Sequence, residues 1–100
     1  MITVGLFVRV EGRPGKAADI EVLLKSAADR VREEGLAVAW FALRLSPAEF
    51  VVFDVFMGEA DRDAHLQANA DALRAAGVEL FAAPPSIEYT DVLAAVLPGE

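Results

Sequence analysis

Two side chains in this sequence are candidates for proton transfer: the single histidine, His65, and an aspartate, Asp54, inside the apolar run 50–56. A histidine titrates near neutral pH and can act as an acid, a base or a ligand. An aspartate in an aromatic and β-branched strand is expected to be buried, and a buried carboxylate must be paired or protonated. Both residues are candidate catalytic groups. The alternatives are a structural or solvated histidine and, for Asp54, a structural ion pair or hydrogen bond, with Arg9 or Arg44 as possible partners across the sheet.

Three further residues are candidates for contacting a substrate: Trp40, Phe56 and Asn69. Trp40 lies on a predicted strand, where it either packs in a core or interface or stacks on a flat aromatic ligand. Phe56 ends the strand that carries Asp54, and it is either a pocket residue or a core residue. Asn69 follows His65 by one helical turn, so the two share a side of the helix. Both are expected at the edge of its buried stripe, which is formed by Leu66, Ala70 and Leu73.

The composition argues against several kinds of site. The absence of cysteine excludes disulfides, thiolate metal sites and cysteine nucleophiles. One histidine without a carboxylate cluster makes a poor metal site, so no metal is expected. The glycine-containing turn 12–15 is too short for a nucleotide-binding loop.

The charge and hydropathy indicate a cytoplasmic protein without nucleic-acid or membrane partners. The net charge is −7 and the pI is about 4.6, whereas nucleic acids and anionic membranes attract basic surfaces. No apolar run approaches the length of about 18 residues that a membrane span needs, and the N-terminus lacks the basic segment of a signal peptide.

The periodicity of apolar residues predicts six elements in the order βαββαβ. The strands are predicted at 2–11, 37–46, 50–56 and 86–96, and the helices at 16–34 and from 59 to about 76. Gly77 is expected to end the second helix, with a short extra turn of helix over 78–83. This order predicts one α+β domain over residues 1–100, a ferredoxin-like sandwich with a four-stranded antiparallel sheet and both helices on one face.

The first three strands are apolar on both faces, although two helices can cover only one face of such a sheet. Hydrophobic residues make up 55% of the chain and the mean hydropathy is +0.38, which is more than a small interior can hold. We therefore expect a homodimer that forms through the open face of the sheet around a two-fold axis.

Six short segments together resemble the antibiotic biosynthesis monooxygenase superfamily in their order and spacing, over nearly the whole chain. They are 13–16, 40–44, 53–56, 64–66, 84–88 and 91–95. The resemblance implies a dimeric α+β barrel with a pocket between the helices and the sheet. Characterised members oxidise anthrones or quinols with O2 and without metal or flavin, because the deprotonated substrate itself reduces O2.

The resemblance assigns roles to individual residues. His65 matches the histidine of the family's second helix, Asp54 takes its strand-three acid position, and Trp40 would line the pocket. It thus implies a cofactor-independent monooxygenase of a small aromatic molecule such as a quinol, an anthrone or a polyketide-like compound. The alternative is a non-enzymatic dimeric module that binds a small ligand or serves as a stress-related accessory. The haem-degrading branch is not expected, because Phe56 replaces its tryptophan and strand one lacks its asparagine.

Overall fold

The computed structural model describes residues 1–99, and it has the predicted order of strands and helices. The elements are β1 Val4–Glu11, α1 Ala17–Glu34, β2 Ala39–Ser46, β3 Glu49–Phe56, α2 Glu59–Leu80 and β4 Ser86–Asp91. The four strands form one antiparallel sheet in the order β2-β3-β1-β4. The predicted ferredoxin-like α+β fold is therefore confirmed.

The register of the sheet places Asp54 at its centre. Asp54 lies opposite Leu6 of β1 on one side and Trp40 of β2 on the other. Directly opposed residues in antiparallel strands point to the same face, so all three side chains face the layer that contains the helices. The sheet thus carries a carboxylate to the middle of its helix-covered face.

Two apolar clusters pack the helices onto this face. The larger joins β1, β3 and α1 through Val8, Val10, Phe50, Ile20 and Leu24, with Phe81 beyond the end of α2. The smaller lies towards the other end of the sheet and contains Val4, Leu6 and Phe56. The polar groups described below lie beside the smaller cluster.

Helix α1 is amphipathic and ends in a residue that reaches the interior. Its buried residues are Ile20, Leu24 and Val31, and Gly35 follows the helix with φ 72°, in the left-handed conformation that glycine adopts without strain. The Gly35 N–H donates to the carbonyl of Val31. Glu34, three residues after Val31, is the last residue of the helix and continues its inward stripe.

The predicted end of the second helix was wrong. α2 continues through Gly77 to Leu80 without a break, so 78–83 is not a separate turn. Gly77 is small because the ring of Phe81 packs against it: a Cβ on Gly77 would lie 2.7 Å from Cδ2 of that ring. The fourth strand also ends earlier than predicted, at Asp91 rather than at 96, while β1 begins at Val4 and β2 at Ala39.

The face of the sheet that the helices leave open carries an apolar patch, although Arg9 and Glu88 also lie on this face. Phe41, Leu43 and Leu45 of β2 are 53%, 49% and 52% exposed there. Beside them, the rings of Phe7 and Phe53 lie 6.4 Å apart between their centroids. Within residues 1–99, no helix is long and apolar enough to cross a membrane.

Candidate acid–base site

Asp54 is almost fully buried, with 2% of its surface exposed, and its partner is the histidine. Its Oδ2 lies 3.0 Å from Nε2 of His65. The alternative pairing of Asp54 with an arginine was wrong. Arg9 instead contacts Glu49, and Arg44 contacts Glu21 of α1. Arg9 points to the opposite face of the sheet, and Arg44 lies four residues along β2 from Trp40, which is the residue opposite Asp54.

His65 lies deeper than its position on the helical wheel indicated. It is only 7% exposed, and with Arg62 it is one of the two buried residues of α2. Its ring packs against Phe56 with 5.3 Å between the centroids. The expectation that His65 lies at the edge of an apolar stripe was wrong, because the inward face of α2 is partly polar and carboxylates of β3 and α1 satisfy the histidine.

The second partner of His65 is Glu34, which the sequence did not single out. Glu34 Oε1 lies 2.5 Å from Nδ1 of His65, and its side chain is 18% exposed. Asn69 supports this contact: its Nδ2 donates to Glu34 Oε2 at 3.0 Å and to the carbonyl of His65 at 2.7 Å. The signal that identifies Glu34 is its place three residues after Val31 on the buried stripe of α1.

Asp54, His65 and Glu34 thus form a continuous hydrogen-bonded row, the carboxylate–histidine cluster. Burial of the ring lowers the pKa of His65, but the hydrogen bonds and negative charges of Asp54 and Glu34 outweigh this effect and raise the pKa above the usual 6.5. The charged imidazolium, in which both ring nitrogens donate, is therefore favoured.

The cluster borders an apolar cavity of about 100 Å³ between the two helices and the sheet. Trp40, which is half-buried, forms part of its wall, and Asp54, His65 and Asn69 supply polar groups. Phe56 is fully buried behind the His65 ring and does not line the cavity. Four of the five predicted site residues therefore line this cavity, and the fifth, Phe56, packs against the ring of His65.

Two other observations bear on the chemistry of the cavity. Oδ1 of Asp54 is buried and has no hydrogen-bond partner among the residues that the structure describes. Those residues also contain no group of three or more side chains that are suited to hold a metal ion.

The comparisons with known proteins identify relatives by structure. A protein of unknown function from Nitrosomonas europaea has a TM-score of 0.94 and 44% sequence identity, with 100% of this chain and 98% of that chain covered. An antibiotic biosynthesis monooxygenase has a TM-score of 0.75 at 14% identity, covering 91% of this chain and 99% of that one. A protein from Mycobacterium tuberculosis has a TM-score of 0.75 at 20% identity, covering 98% and 99%.

No protein-family model and no curated protein matches the chain. The likenesses at 14% and 20% identity concern the fold, whereas the likeness at 44% identity over the full length establishes kinship. The chain therefore belongs to the same family as the Nitrosomonas europaea protein of unknown function, and it shares its fold with an antibiotic biosynthesis monooxygenase.

Proposed function

We propose that the chain is a cofactor-independent monooxygenase that uses O2 to oxidise a small, electron-rich aromatic molecule with a hydroxyl group. The observation that carries this proposal is the buried carboxylate–histidine cluster at the edge of an apolar cavity. A proton acceptor in a water-poor site is what a reaction needs when the deprotonated substrate is itself the reductant of O2.

The proposed reaction balances without an added reductant. The carboxylate of Asp54, which His65 holds in position, accepts the hydroxyl proton of a phenol, and the phenolate transfers electrons to O2. One oxygen atom then bonds to a ring carbon, and the other leaves as water with the hydrogen of that carbon and the hydroxyl proton. A phenol and O2 thus give a quinone and water, so the protein supplies only position, proton transfer and exclusion of solvent.

The size of the cavity limits the substrate. Pockets for drug-sized ligands measure roughly 300–1,000 Å³, and an engineered apolar cavity of about 150 Å³ holds benzene. At about 100 Å³, this cavity is close to the size of one aromatic ring. We therefore favour a single-ring phenol or hydroquinone over a three-ring anthrone, which would need the helices to move apart.

We also propose that the protein works as a homodimer through the open face of the sheet. Its support is the row of half-exposed apolar side chains at Phe41, Leu43 and Leu45, which a second copy would remove from water. The Leu43→Glu variant is expected to be a monomer, because it places a charge within the apolar surface that the second copy would cover. Light scattering should give twice the chain mass of 10.7 kDa for the unchanged protein and the single mass for the variant.

The matched control is Val22→Glu, since Val22 is 64% exposed on α1, on the other side of the molecule. It introduces the same charge and is expected to leave the dimer intact. A mass of 10.7 kDa for the unchanged protein at micromolar concentration would contradict the proposed interface.

A binding module without catalysis is the second candidate function, and one observation favours it. Both ring nitrogens of His65 already contact carboxylates, so the histidine has no free nitrogen to offer a substrate. Such a module would bind a small aromatic molecule in the same cavity and release it unchanged.

Oxygen uptake distinguishes the two functions. The metal-stripped protein would be tested in the presence of a chelator with a substituted phenol, a hydroquinone, a naphthohydroquinone and an anthrone. The proposal predicts uptake of one O2 per quinone formed, fastest with single-ring substrates. Binding of these compounds without any uptake above the buffer rate would replace the oxygenase with the binding module.

A further inference from the structure

One carboxylate oxygen of the carboxylate–histidine cluster has no hydrogen-bond partner among the residues that the structure describes. Asp54 Oδ2 accepts a hydrogen bond from His65, but Oδ1 is buried and has no partner among residues 1–99. Asp54 is 2% exposed and lines the apolar cavity beside Trp40. A buried carboxylate oxygen without a donor is costly, and a ligand in the cavity that supplies a donor would remove this cost.

The other polar atoms of the cluster are occupied. Nδ1 and Nε2 of His65 each contact a carboxylate, and the two oxygens of Glu34 contact His65 and Asn69. The amide of Asn69 also donates to the carbonyl of His65. Among Asp54, His65 and Glu34, Oδ1 of Asp54 is therefore the acceptor without a partner, and the amide oxygen of Asn69 is a second, uncharged acceptor beside the cavity.

We propose that Asp54, and not His65, is the residue that contacts the ligand, and that its Oδ1 accepts a hydrogen bond from a neutral hydroxyl group on a single aromatic ring. This assignment rests on the proposed function, because it concerns the same cavity, and it defines which ligand the cavity selects. His65 and Glu34 are then positioning residues: they hold the carboxylate through Oδ2 and leave Oδ1 directed at the ligand.

The chemistry of this contact excludes close analogues of the ligand. A methyl ether has no hydrogen to donate, so it would leave Oδ1 unpaired in the cavity. An aromatic carboxylate would bring a negative charge against the carboxylate of Asp54 and has no hydrogen to donate to Oδ1. Phenol, anisole and benzoate have similar rings and differ in these properties, so they form a suitable set of probes.

Binding of the three probes can be followed through Trp40, which is the single tryptophan of the chain and part of the cavity wall. Calorimetry supplies a second, independent readout. The unchanged protein is expected to bind phenol roughly ten- to a hundredfold more tightly than anisole, which is the usual range for a hydrogen bond to a charged group. Benzoate is expected to bind more weakly than phenol.

The Asp54→Asn variant tests the assignment to this residue. It keeps the shape of the side chain and an oxygen for His65, but it turns the group that faces the cavity into an amide, which donates. The preference for phenol over anisole should then disappear. The control is Asp91→Asn, which neutralises an exposed aspartate at the end of β4 and should leave the preference unchanged.

The positioning role of Glu34 has its own readout. Glu34→Gln weakens the hold on His65 and should reduce the ratio of phenol to anisole affinity, whereas loss of structure would weaken both ligands alike. Its control is the neighbouring Glu33→Gln, because Glu33 is exposed on the same helix.

Equal affinity for phenol and anisole, tighter binding of benzoate, or no binding by either readout would overturn the assignment. Retention of the phenol preference in Asp54→Asn would overturn it too. These outcomes are separate from the proposed oxygenase activity: phenol bound through Asp54 without oxygen uptake refutes the oxygenase alone, and uptake that does not depend on Asp54 refutes the assignment alone.

Discussion

The Asp54→Asn variant is expected to consume oxygen roughly a hundred- to ten-thousandfold more slowly than the unchanged protein with the same phenol or hydroquinone. This is the usual contribution of a positioned proton acceptor. The amide keeps the volume of the side chain and an acceptor for Nε2 of His65, so the substitution removes the basic group with little change in packing. Initial rates of oxygen uptake at saturating substrate measure the effect.

Asp91→Asn is the control for this prediction, because it removes the same charge from an exposed position. It should consume oxygen at the unchanged rate. Both variants need a circular dichroism spectrum that matches the unchanged protein. A fully active, folded Asp54→Asn variant would show that proton transfer does not pass through this carboxylate.

Removal of the histidine is expected to have the largest effect on stability. His65→Leu leaves two carboxylates in a buried site without their shared cation, and loss of one partner of a buried ion pair typically costs about 3–5 kcal/mol. A domain of this size has a free energy of unfolding of roughly 5–15 kcal/mol. The variant should therefore remain folded, with a much smaller free energy of unfolding than the unchanged protein. Urea denaturation measures the difference.

The pH dependence of stability follows from the direction of the pKa shift. The folded protein holds the proton of His65 more tightly than the unfolded chain does, because Asp54 and Glu34 raise its pKa above 6.5. The contribution of the charged ring is therefore fully present below pH 6.5 and is lost as the pH rises through the raised pKa. Unfolding curves across this window should show the loss for the unchanged protein.

A double-mutant cycle between His65→Leu and Glu34→Gln tests whether the two side chains act together. Because both belong to one hydrogen-bonded row, the double variant should lose less stability than the sum of the two single variants. Glu33→Gln in place of Glu34→Gln should give additive losses. Additive losses for the Glu34 cycle would mean that the short contact seen between Glu34 and His65 does not stabilise the fold.

The sequence predicts the layers of this fold because each strand and helix has a clear period. Alternation along residues 4–11 and the stripe of Ile20, Leu24 and Val31 depend only on local geometry, and the structure agrees with both. The ends of elements were less predictable. Gly77 is a residue type that often ends helices, yet it lies inside α2, where the ring of Phe81, one helical turn further on, packs against it.

Two of the three members of the carboxylate–histidine cluster were predictable from the sequence, but the third member and the pairing were not. Asp54 and His65 stand out as a buried acid and a lone histidine, but which partners they meet depends on how α2 and α1 lie over the sheet. Periodicity gives the face on which a residue lies and not the rotation of one element against another. Glu34 was missed because it ends its helix, where a charged residue normally faces water.

Nuclear magnetic resonance of the His65 ring tests the central claim most directly, namely that a charged imidazolium shared by Asp54 and Glu34 holds the acid–base site together. The chain has one histidine, so its ring nitrogens are assigned without ambiguity. The two carboxylates that contact the ring belong to Asp54 of β3 and Glu34 of α1. The nearest buried cation on α2 is Arg62, which lies one turn before His65.

The ring of His65 in the folded protein is expected to titrate with a midpoint above pH 6.5. Below that midpoint, both ring nitrogens should carry protons. Asp54→Asn and Glu34→Gln should each lower this midpoint, whereas Glu33→Gln should leave it in place. A midpoint at or below 6.5, or one that neither of the two carboxylate substitutions moves, would contradict the claim.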